Sequence, residues 1–409
     1  MSALTKSNQS ESLQVRHDIP AGAWRWFAVY NAVGFVLQLD GTLITVALPS
    51  VAHDLRVSSG SSATLLSVYF AAYALLLLPG GMLVDRFGVR RVALVGLLVF
   101  LTGASLGAVA GNFEMLIAAR SLQGVGAGLV SPAALAGAVS GFPPQRRGAA
   151  LGVWGASAGV ANLTGPLIGG TLIELFGWRA DWWALVPLGV VAFAAVLVPL
   201  PPSEHNEPSS CRRAPINRHV LTAALIGAVT FAVMIGSFCL LEQYLQDSAH
   251  FSALPASAAL ALVALSVALT APVAGRLADV RGDRFTALLG FSVAGFGLAV
   301  LGMPGTPLSG GIGFALLGLF GVGLGMLFAP TSRAGLNSAA ESAHGRASAL
   351  LSIGRLLGAM IGASAAGVAL SGGPSAAGAH HALLVACACC VLLGLPATWS
   401  LQRRPQPSS

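Results

Sequence analysis

The sequence predicts an all-α membrane protein in which twelve transmembrane helices form two pseudo-symmetric six-helix halves. Of its 409 residues, 55% are hydrophobic and only 9% are charged, against roughly 25% charged in soluble domains. Twelve apolar stretches are long enough to cross a bilayer, and one motif occurs in both halves of the chain. A soluble protein of this composition would have too little polar surface to stay dissolved, so the chain is predicted to be a polytopic membrane protein.

The apolar stretches each approach the roughly 20 residues that a helix needs to cross a bilayer core of about 30 Å. They fall near 26–50, 61–83, 92–110, 113–136, 149–172, 182–200, 220–242, 255–278, 285–303, 309–330, 346–370 and 380–400. Turn-forming Gly and Pro residues separate many of them. We therefore expect an N-terminal tail (1–23), a first half (24–202), a linker (203–218), a second half (219–401) and a C-terminal tail (402–409).

The basic residues predict the orientation. With the N-terminus inside, 18 of the 22 Lys and Arg residues fall in cytoplasmic segments, and only Arg56 and Arg179 fall in outer loops. An excess of Lys and Arg marks the cytoplasmic side, so both termini are predicted to be cytoplasmic in a cell (inner or plasma) membrane. Because the basic residues follow topology and do not form one patch, the net charge of +7 does not indicate binding to nucleic acid.

The two halves share a sequence motif at a constant offset. The pattern of Gly81, Leu83, Asp85, Gly88 and Arg90 recurs as Gly275, Leu277, Asp279, Gly282 and Arg284. Each copy joins the second and third helices of its half. An internal duplication of this kind is typical of transporters that bind substrate near the membrane midplane and rock one half against the other.

Asp40 and Arg120 are the main candidate residues for proton coupling. An intramembrane carboxylate costs several kcal/mol unless it is protonated, paired or facing water, so Asp40 is predicted to be a proton or cation site. Arg120 stays charged and needs a carboxylate, carbonyl groups or water. The alternative interpretations are an acid neutralised by a neighbouring helix and a purely structural buried pair.

Glu242 is a third candidate for proton or substrate coupling, towards the outer end of the seventh span. It could line an outward-facing cavity, or it could lie in the hydrated headgroup region as an ordinary acid.

The loop between the second and third helices is a candidate cytoplasmic gate. Its glycines allow tight helix contact and a sharp turn, and Asp85 could hold an arginine or a helix N-terminus of the other half. The alternative is a simple basic anchor, which the recurrence at Asp279 disfavours. The predicted gate residues are Gly81, Asp85, Arg86, Gly88, Arg90, Arg91 and Asp279.

This loop resembles the signature G-x-L-x-D-R-x-G-x-R-R of the major facilitator superfamily, which implies the major facilitator fold. The fourth-span stretch with Arg120, Gln123 and Gly124 is similar to that superfamily's proton-coupling motif in antiporters. In the fifth span, a glycine–proline pattern resembles the antiporter motif, which exporters carry and importers generally lack. Its residues are Gly165, Pro166, Gly169 and Gly170.

The segment 39–49 around Asp40 resembles the first-helix motif of the drug:proton antiporter-2 family. Trp178-Arg179 and the stretch 241–246 are similar to other segments of that family. Most of its members have fourteen helices, with two extra between the halves, and the linker at 203–218 is too short to hold them.

The resemblance implies a proton-coupled antiporter that exports small amphipathic compounds, drugs or antibiotics, by alternating access. The expected driving force is the proton gradient, without a cofactor, and the expected partners are a small molecule, protons and lipid, with the chain monomeric. A proton-coupled importer of a small metabolite is the alternative. An enzyme is disfavoured because the sequence has no Ser/His/Asp, metal-binding or phosphate-binding arrangement.

Overall fold

The computed structural model describes residues 22–142, 147–198, 218–306, 310–337, 344–371, 376–399 and 401. All regular secondary structure in these ranges is helical. The predicted linker and both predicted tails lie almost entirely outside the described residues. The all-α fold class is confirmed.

The first half contains six long helices, with a single short turn of helix at Ser59–Ser62 before the second. They are α1 (Ala23–Asp54), α2 (Thr64–Phe87), α3 (Val89–Ala108), α4 (Phe113–Ser140), α5 (Arg147–Phe176) and α6 (Arg179–Leu197).

The second half contains six more. They are α7 (Arg218–Gln243), α8 (Ala253–Arg281), α9 (Asp283–Leu301), α10 (Gly310–Asn337), α11 (His344–Ala369) and α12 (Ala376–Cys389). A π-helical turn at Tyr244–Ser248 continues α7, and another at Cys390–Gly394 joins α12 to a last helical turn at Leu395–Trp399.

Eleven helices among the described residues are long and apolar enough to cross a membrane. The remaining long helix, α5, has 30 residues, which is ample at a rise of 1.5 Å per residue, although Gly, Ser, Asn and Thr dilute its apolar character. Large apolar side chains point away from the bundle, as at Leu75, Leu269 and Val368, which are 74%, 67% and 75% exposed. Such a surface suits lipid, and the chain is a multi-pass membrane protein.

The two halves repeat one packing scheme. In the first half α4 packs against α2 and α3, while α1 packs against α5 and α6. In the second half α10 packs against α8 and α9, while α7 packs against α11 and α12. The helices thus pair equivalently at corresponding positions, which agrees with the duplication predicted from the sequence.

Both copies of the repeated loop turn on a glycine with positive φ. Gly88 has φ 84° between α2 and α3, and Gly282 has φ 91° between α8 and α9. This backbone region is open to glycine at little cost and is unfavourable for residues with a Cβ. Each loop therefore joins its two helices through this single residue.

The halves meet mainly along α2 with α11 and α5 with α8. We call the side of the bundle where α1 begins the near side and the side where α1 ends the far side. In the predicted orientation, the near side is cytoplasmic.

Candidate functional site

Asp40 and Arg120 form a buried ion pair inside the first half. Asp40 lies on α1 between the buried Leu39 and Leu43, and Arg120 lies on α4. Arg120 Nη1 lies 2.8 Å from Asp40 Oδ1, and both side chains are 0% exposed. The structure therefore brings together the two residues that the sequence selected separately.

Gln123 ties this pair to its surroundings. Its Nε2 donates to Asp40 Oδ1 at 3.1 Å, and its Oε1 accepts from Arg120 Nη1 at 3.0 Å. Its Oε1 also lies 3.3 Å from Trp182 Nε1 of α6, which donates to it. Because Gln123 follows Arg120 by three residues, one turn of α4 presents both side chains to α1.

Two small residues allow the neighbouring helices to approach this cluster. A Cβ on Gly124 would lie 2.5 Å from the carbonyl oxygen of Tyr69, so glycine permits the close contact between α4 and α2. A Cβ on Gly107 of α3 would overlap the Trp182 indole. Trp182 is therefore held where its N–H reaches Gln123.

Tyr69 is a site residue that the sequence did not indicate. The Arg120 guanidinium carbon lies 4.1 Å from the centroid of the Tyr69 ring, and Tyr69 is buried. A cation over an aromatic face is stabilised by the ring quadrupole, more so when water is excluded. The sequence shows Tyr69 only as an aromatic residue within an apolar span. Such residues are common in membrane helices, so this feature does not single out a site residue.

Asp181 is a second buried acid that the sequence did not indicate. It lies in the first turn of α6, is 0% exposed, and neither carboxylate oxygen has a hydrogen-bond partner among the described residues. The next residue, Trp182, donates to Gln123, which in turn donates to Asp40, so Asp181 lies beside the same polar cluster. The predicted span began at 182, whereas α6 begins at Arg179, so the sequence placed Asp181 just outside the membrane.

Glu242 is separate from the Asp40–Arg120 pair. It is 0% exposed at the far end of α7, and its Oε1 accepts from Gln246 Nε2 at 2.6 Å. The same Gln246 nitrogen donates to the Val46 carbonyl oxygen of α1 at 3.1 Å. In this conformation Glu242 is therefore enclosed where the two halves meet.

The contact between α7 and the first half includes two more polar bonds. Gln243 Nε2 donates to Ser62 Oγ at 3.0 Å, and Ser59 Oγ donates to Asp247 Oδ2 at 3.3 Å. Elsewhere, Ser364 of α11 bonds to Ser67 of α2 at 3.0 Å. In the described part of the chain, every hydrogen bond between the halves lies on the far side, so this conformation is closed there.

The glycine–proline helix α5 lies between α1 and α8. A Cβ on Gly165 would overlap Thr42 Oγ1, and one on Gly169 would lie 3.1 Å from a Leu43 methyl group. A Cβ on Gly170 would overlap Ser257 Oγ and lie 2.9 Å from the Leu254 Cα of α8. Pro166 lies inside the helix. The predicted antiporter-motif residues thus permit close packing both within the first half and across to the second.

The predicted gate loop lies on the near side. Arg90 Nε donates to the Val196 carbonyl oxygen at the end of α6, at 3.1 Å. The side chains of Asp85, Arg86 and Arg91 are exposed, and among the described residues Asp85 has no hydrogen bond to the second half. Gly81 has open space around it. Within the described part of the chain, this loop therefore forms no latch with the second half in this conformation.

The equivalent loop of the second half is paired within that half. Asp279 forms a salt bridge with Arg333 of α10, whose Nε also lies 3.4 Å from Asp283 Oδ1. This network joins α8, α9 and α10, and as far as the structure describes the chain it makes no contact with the first half.

Comparison with known proteins gives relatives named for antibiotic resistance and export and a relative named as a metabolite transporter. Over 207 residues the chain is 33% identical to the tetracenomycin C resistance and export protein of Streptomyces glaucescens, an alignment that covers 50% of this chain and 37% of that protein. It is 25% identical over 355 residues to the riboflavin transporter RibZ of Clostridioides difficile, covering 73% and 77%. The chain spans less than half the length of several curated relatives, including the tetracenomycin protein.

A solved structure shares the fold. It is a bacterial homologue of the human lysosomal transporter Spinster, which superimposes with a TM-score of 0.78 at 14% identity and covers 95% of this chain and 100% of that one. The profile of the Major Facilitator Superfamily matches residues 31–363 and 225–409. Together with the duplicated twelve-helix architecture, these matches show that the chain belongs to the Major Facilitator Superfamily, a family of transporters and not of enzymes.

Proposed function

We propose that this transporter is a proton-coupled antiporter that exports small amphipathic compounds by alternating access. The observation that carries the proposal is the wholly buried pair of Asp40 and Arg120 on two different helices. A protonatable group in this position changes the net charge of the bundle interior when it gains or loses a proton.

The pair supplies a physical link between protonation and conformation. Removing one charge of a buried ion pair leaves the other uncompensated, which costs about 3–5 kcal/mol. When Asp40 takes up a proton, Arg120 loses its counter-charge and must find another partner or reach water. The conformation that meets this need becomes favoured, as for any ligand that binds two states unequally.

Alternating access is supported by the uneven distribution of contacts. The polar bonds between the halves lie on the far side, and Asp85 on the near side is unpaired with the second half among the described residues. Rocking would break the far-side bonds and bring the Asp85 loop against the second half. The substrate would bind between these two gates, in a space lined chiefly by α1, α4, α7 and α10, with no cofactor and with the chain acting as a monomer.

Export is favoured over import by two observations. The relative from Streptomyces glaucescens is named for resistance and export, and α5 carries the glycine–proline pattern at the interface between the halves. A metabolite transporter is the alternative, because another relative is named as a riboflavin transporter. With the near side cytoplasmic in the cell membrane, protons would enter from the far side and leave on the near side.

The direction and the driving force can be tested together. The chain would be expressed in a pump-deficient bacterium and screened for protection against a compound panel; the most strongly excluded compound would then be followed in inverted membrane vesicles. We expect an imposed proton gradient to drive its uptake into inverted vesicles and an ionophore to abolish that uptake. Accumulation of the compound by intact cells, or uptake that is indifferent to the ionophore, would contradict the proposal.

The role of Asp40 needs a matched control. Asp40→Asn should reduce gradient-driven uptake to the background of empty vesicles, because the amide cannot exchange a proton. Glu114→Gln removes an exposed acid at the start of α4 and should transport as the parent does. Full activity of Asp40→Asn at equal expression would rule out Asp40 as the coupling group.

A further inference from the structure

The first half contains more buried acid than buried base around its central ion pair. Asp40, Arg120 and Asp181 are each 0% exposed. Fully ionised, the three side chains would carry a net charge of −1 in a region that water does not reach. A buried charge without a partner is strongly unfavourable and is usually avoided by protonation.

Asp181 has no local source of compensation among the described residues. Neither of its oxygens accepts a hydrogen bond there. Its place in the first turn of α6 provides the positive end of a helix dipole, but that stabilisation is small compared with the cost of burying an unpaired carboxylate. Arg179, two residues earlier, is already paired with Asp54 at 2.9 Å on the exposed far side.

Other charged groups on the helices packed against α6 do not balance Asp181. α4 also reaches α6, where Trp182 donates to Gln123, and its charged residues are Arg120 of the cluster and the exposed Glu114. The helices that pack against α6 more extensively are α1, α3 and α5. On these helices, the described charged or titratable side chains besides Asp40 and the tyrosines lie towards the helix ends. They are Arg25, His53, Asp54, Arg90, Arg91 and Glu174. Asp181 is instead linked to Asp40 through the polar cluster, because the adjacent Trp182 donates to Gln123, and Gln123 donates to Asp40 Oδ1. Ionised, the two acids carry the same charge.

We propose that Asp40 and Asp181 share one proton, so that the cluster of Asp40, Arg120 and Asp181 is electrically neutral while the far side is closed. Two acids that interact in this way titrate as a pair. With Asp40 ionised and bonded to Arg120, the proton resides on Asp181. Its release breaks the O–H bond of whichever carboxyl group holds it, leaves a carboxylate, and passes the proton to water.

The place of this shared proton in the transport cycle rests on the proposed function, but the charge balance does not. In the cycle, Asp181 supplies a second protonatable group beside the coupling pair. Replacing Asp40 by Asn would then not leave Arg120 without an acid in its cluster, because Asp181 could ionise in its place.

The proposal can be tested by infrared spectroscopy of the purified full chain in lipid at neutral pH, where exposed carboxyl groups are ionised and a protonated carboxyl group gives its own C=O absorption. All measurements would use a Glu242→Gln background, since that buried acid could contribute the same band. We expect the band in this background and in the added control Glu114→Gln. We expect its loss in Asp181→Asn and also in Asp40→Asn, because the single remaining acid then balances Arg120.

Two results would overturn the proposal. Absence of the band in the Glu242→Gln background would show that both acids are ionised, and its persistence in Asp181→Asn would assign the proton to another group.

Thermal unfolding provides a second measurement. Asp40→Asn and Asp181→Asn together should lower the melting temperature by more than the sum of the single changes, because only the double variant leaves Arg120 without an acid; additive shifts would contradict the shared charge balance. Neither measurement involves transport, so failure here is distinguishable from failure of the proposed function.

Discussion

Gly170 offers a direct way to shift the conformational equilibrium. A Cβ at this position would overlap Ser257 Oγ and lie 2.9 Å from the Leu254 Cα and 3.0 Å from the Ala253 carbonyl oxygen. The hydroxyl group can rotate away, but the two backbone atoms belong to α8 and cannot move without displacing that helix. Gly170→Ala should therefore destabilise the far-side-closed conformation specifically.

The size of the effect follows from the overlap with backbone. Inserting a methyl group into close packing typically costs about 1–3 kcal/mol, which corresponds to a change of about 5- to 150-fold in a conformational equilibrium. Gly159 lies on the same helix with nothing within 4 Å of its Cβ position. Gly159→Ala is therefore a matched control with the same change in side chain and helix propensity.

Cross-linking between the halves would measure the shift. Cysteines replacing Ser59 and Asp247, whose side chains lie 3.3 Å apart across the far side, would be introduced into a variant without the five native cysteines. Gly170→Ala should slow formation of the cross-link, and Gly159→Ala should not. Equal rates in the parent and in Gly170→Ala would refute the inference that α5 and α8 meet closely when the far side is closed.

Two further substitutions test separate parts of the mechanism. Arg120→Ala should leave uptake into inverted vesicles insensitive to the proton gradient, because Asp40 can then stay protonated throughout the cycle; unchanged gradient dependence would count against coupling through the pair. Asp85→Asn should slow transport while leaving equilibrium binding of the compound largely intact, since Asp85 lies on the near surface and away from the pair; loss of binding by a folded variant would instead place Asp85 at the substrate.

The sequence predicted the helices and the central pair because both depend on local chemistry. A long apolar run forms a transmembrane helix wherever it occurs, and a charged residue within such a run needs a partner whatever the fold. Asp40 and Arg120 could therefore be selected before their contact was known. The repeated loops were found for a similar reason, since Gly88 and Gly282 are required by the backbone of the turn.

The residues that were missed depend on contacts between distant helices. Tyr69 matters because its ring lies under Arg120. Asp181 matters because α6 begins three residues earlier than the predicted span and is buried against α1 and α3. Neither the contact of Tyr69 with Arg120 nor the burial of Asp181 can be predicted from the residues that neighbour them in the sequence. Likewise, the sequence left Glu242 between a cavity and the membrane surface, and only the packing of α7 against α1 showed that it is enclosed.

The most direct test of proton coupling is the exchange of protons for substrate by the purified protein. The most strongly excluded compound would be added to the protein in weakly buffered detergent solution, and protons would be counted with a pH indicator. We expect binding to release protons from the parent and from Glu114→Gln, and to release fewer from Asp40→Asn with the compound still bound. Equal proton release from the parent and Asp40→Asn would contradict the central claim that this buried carboxyl group couples protons to transport.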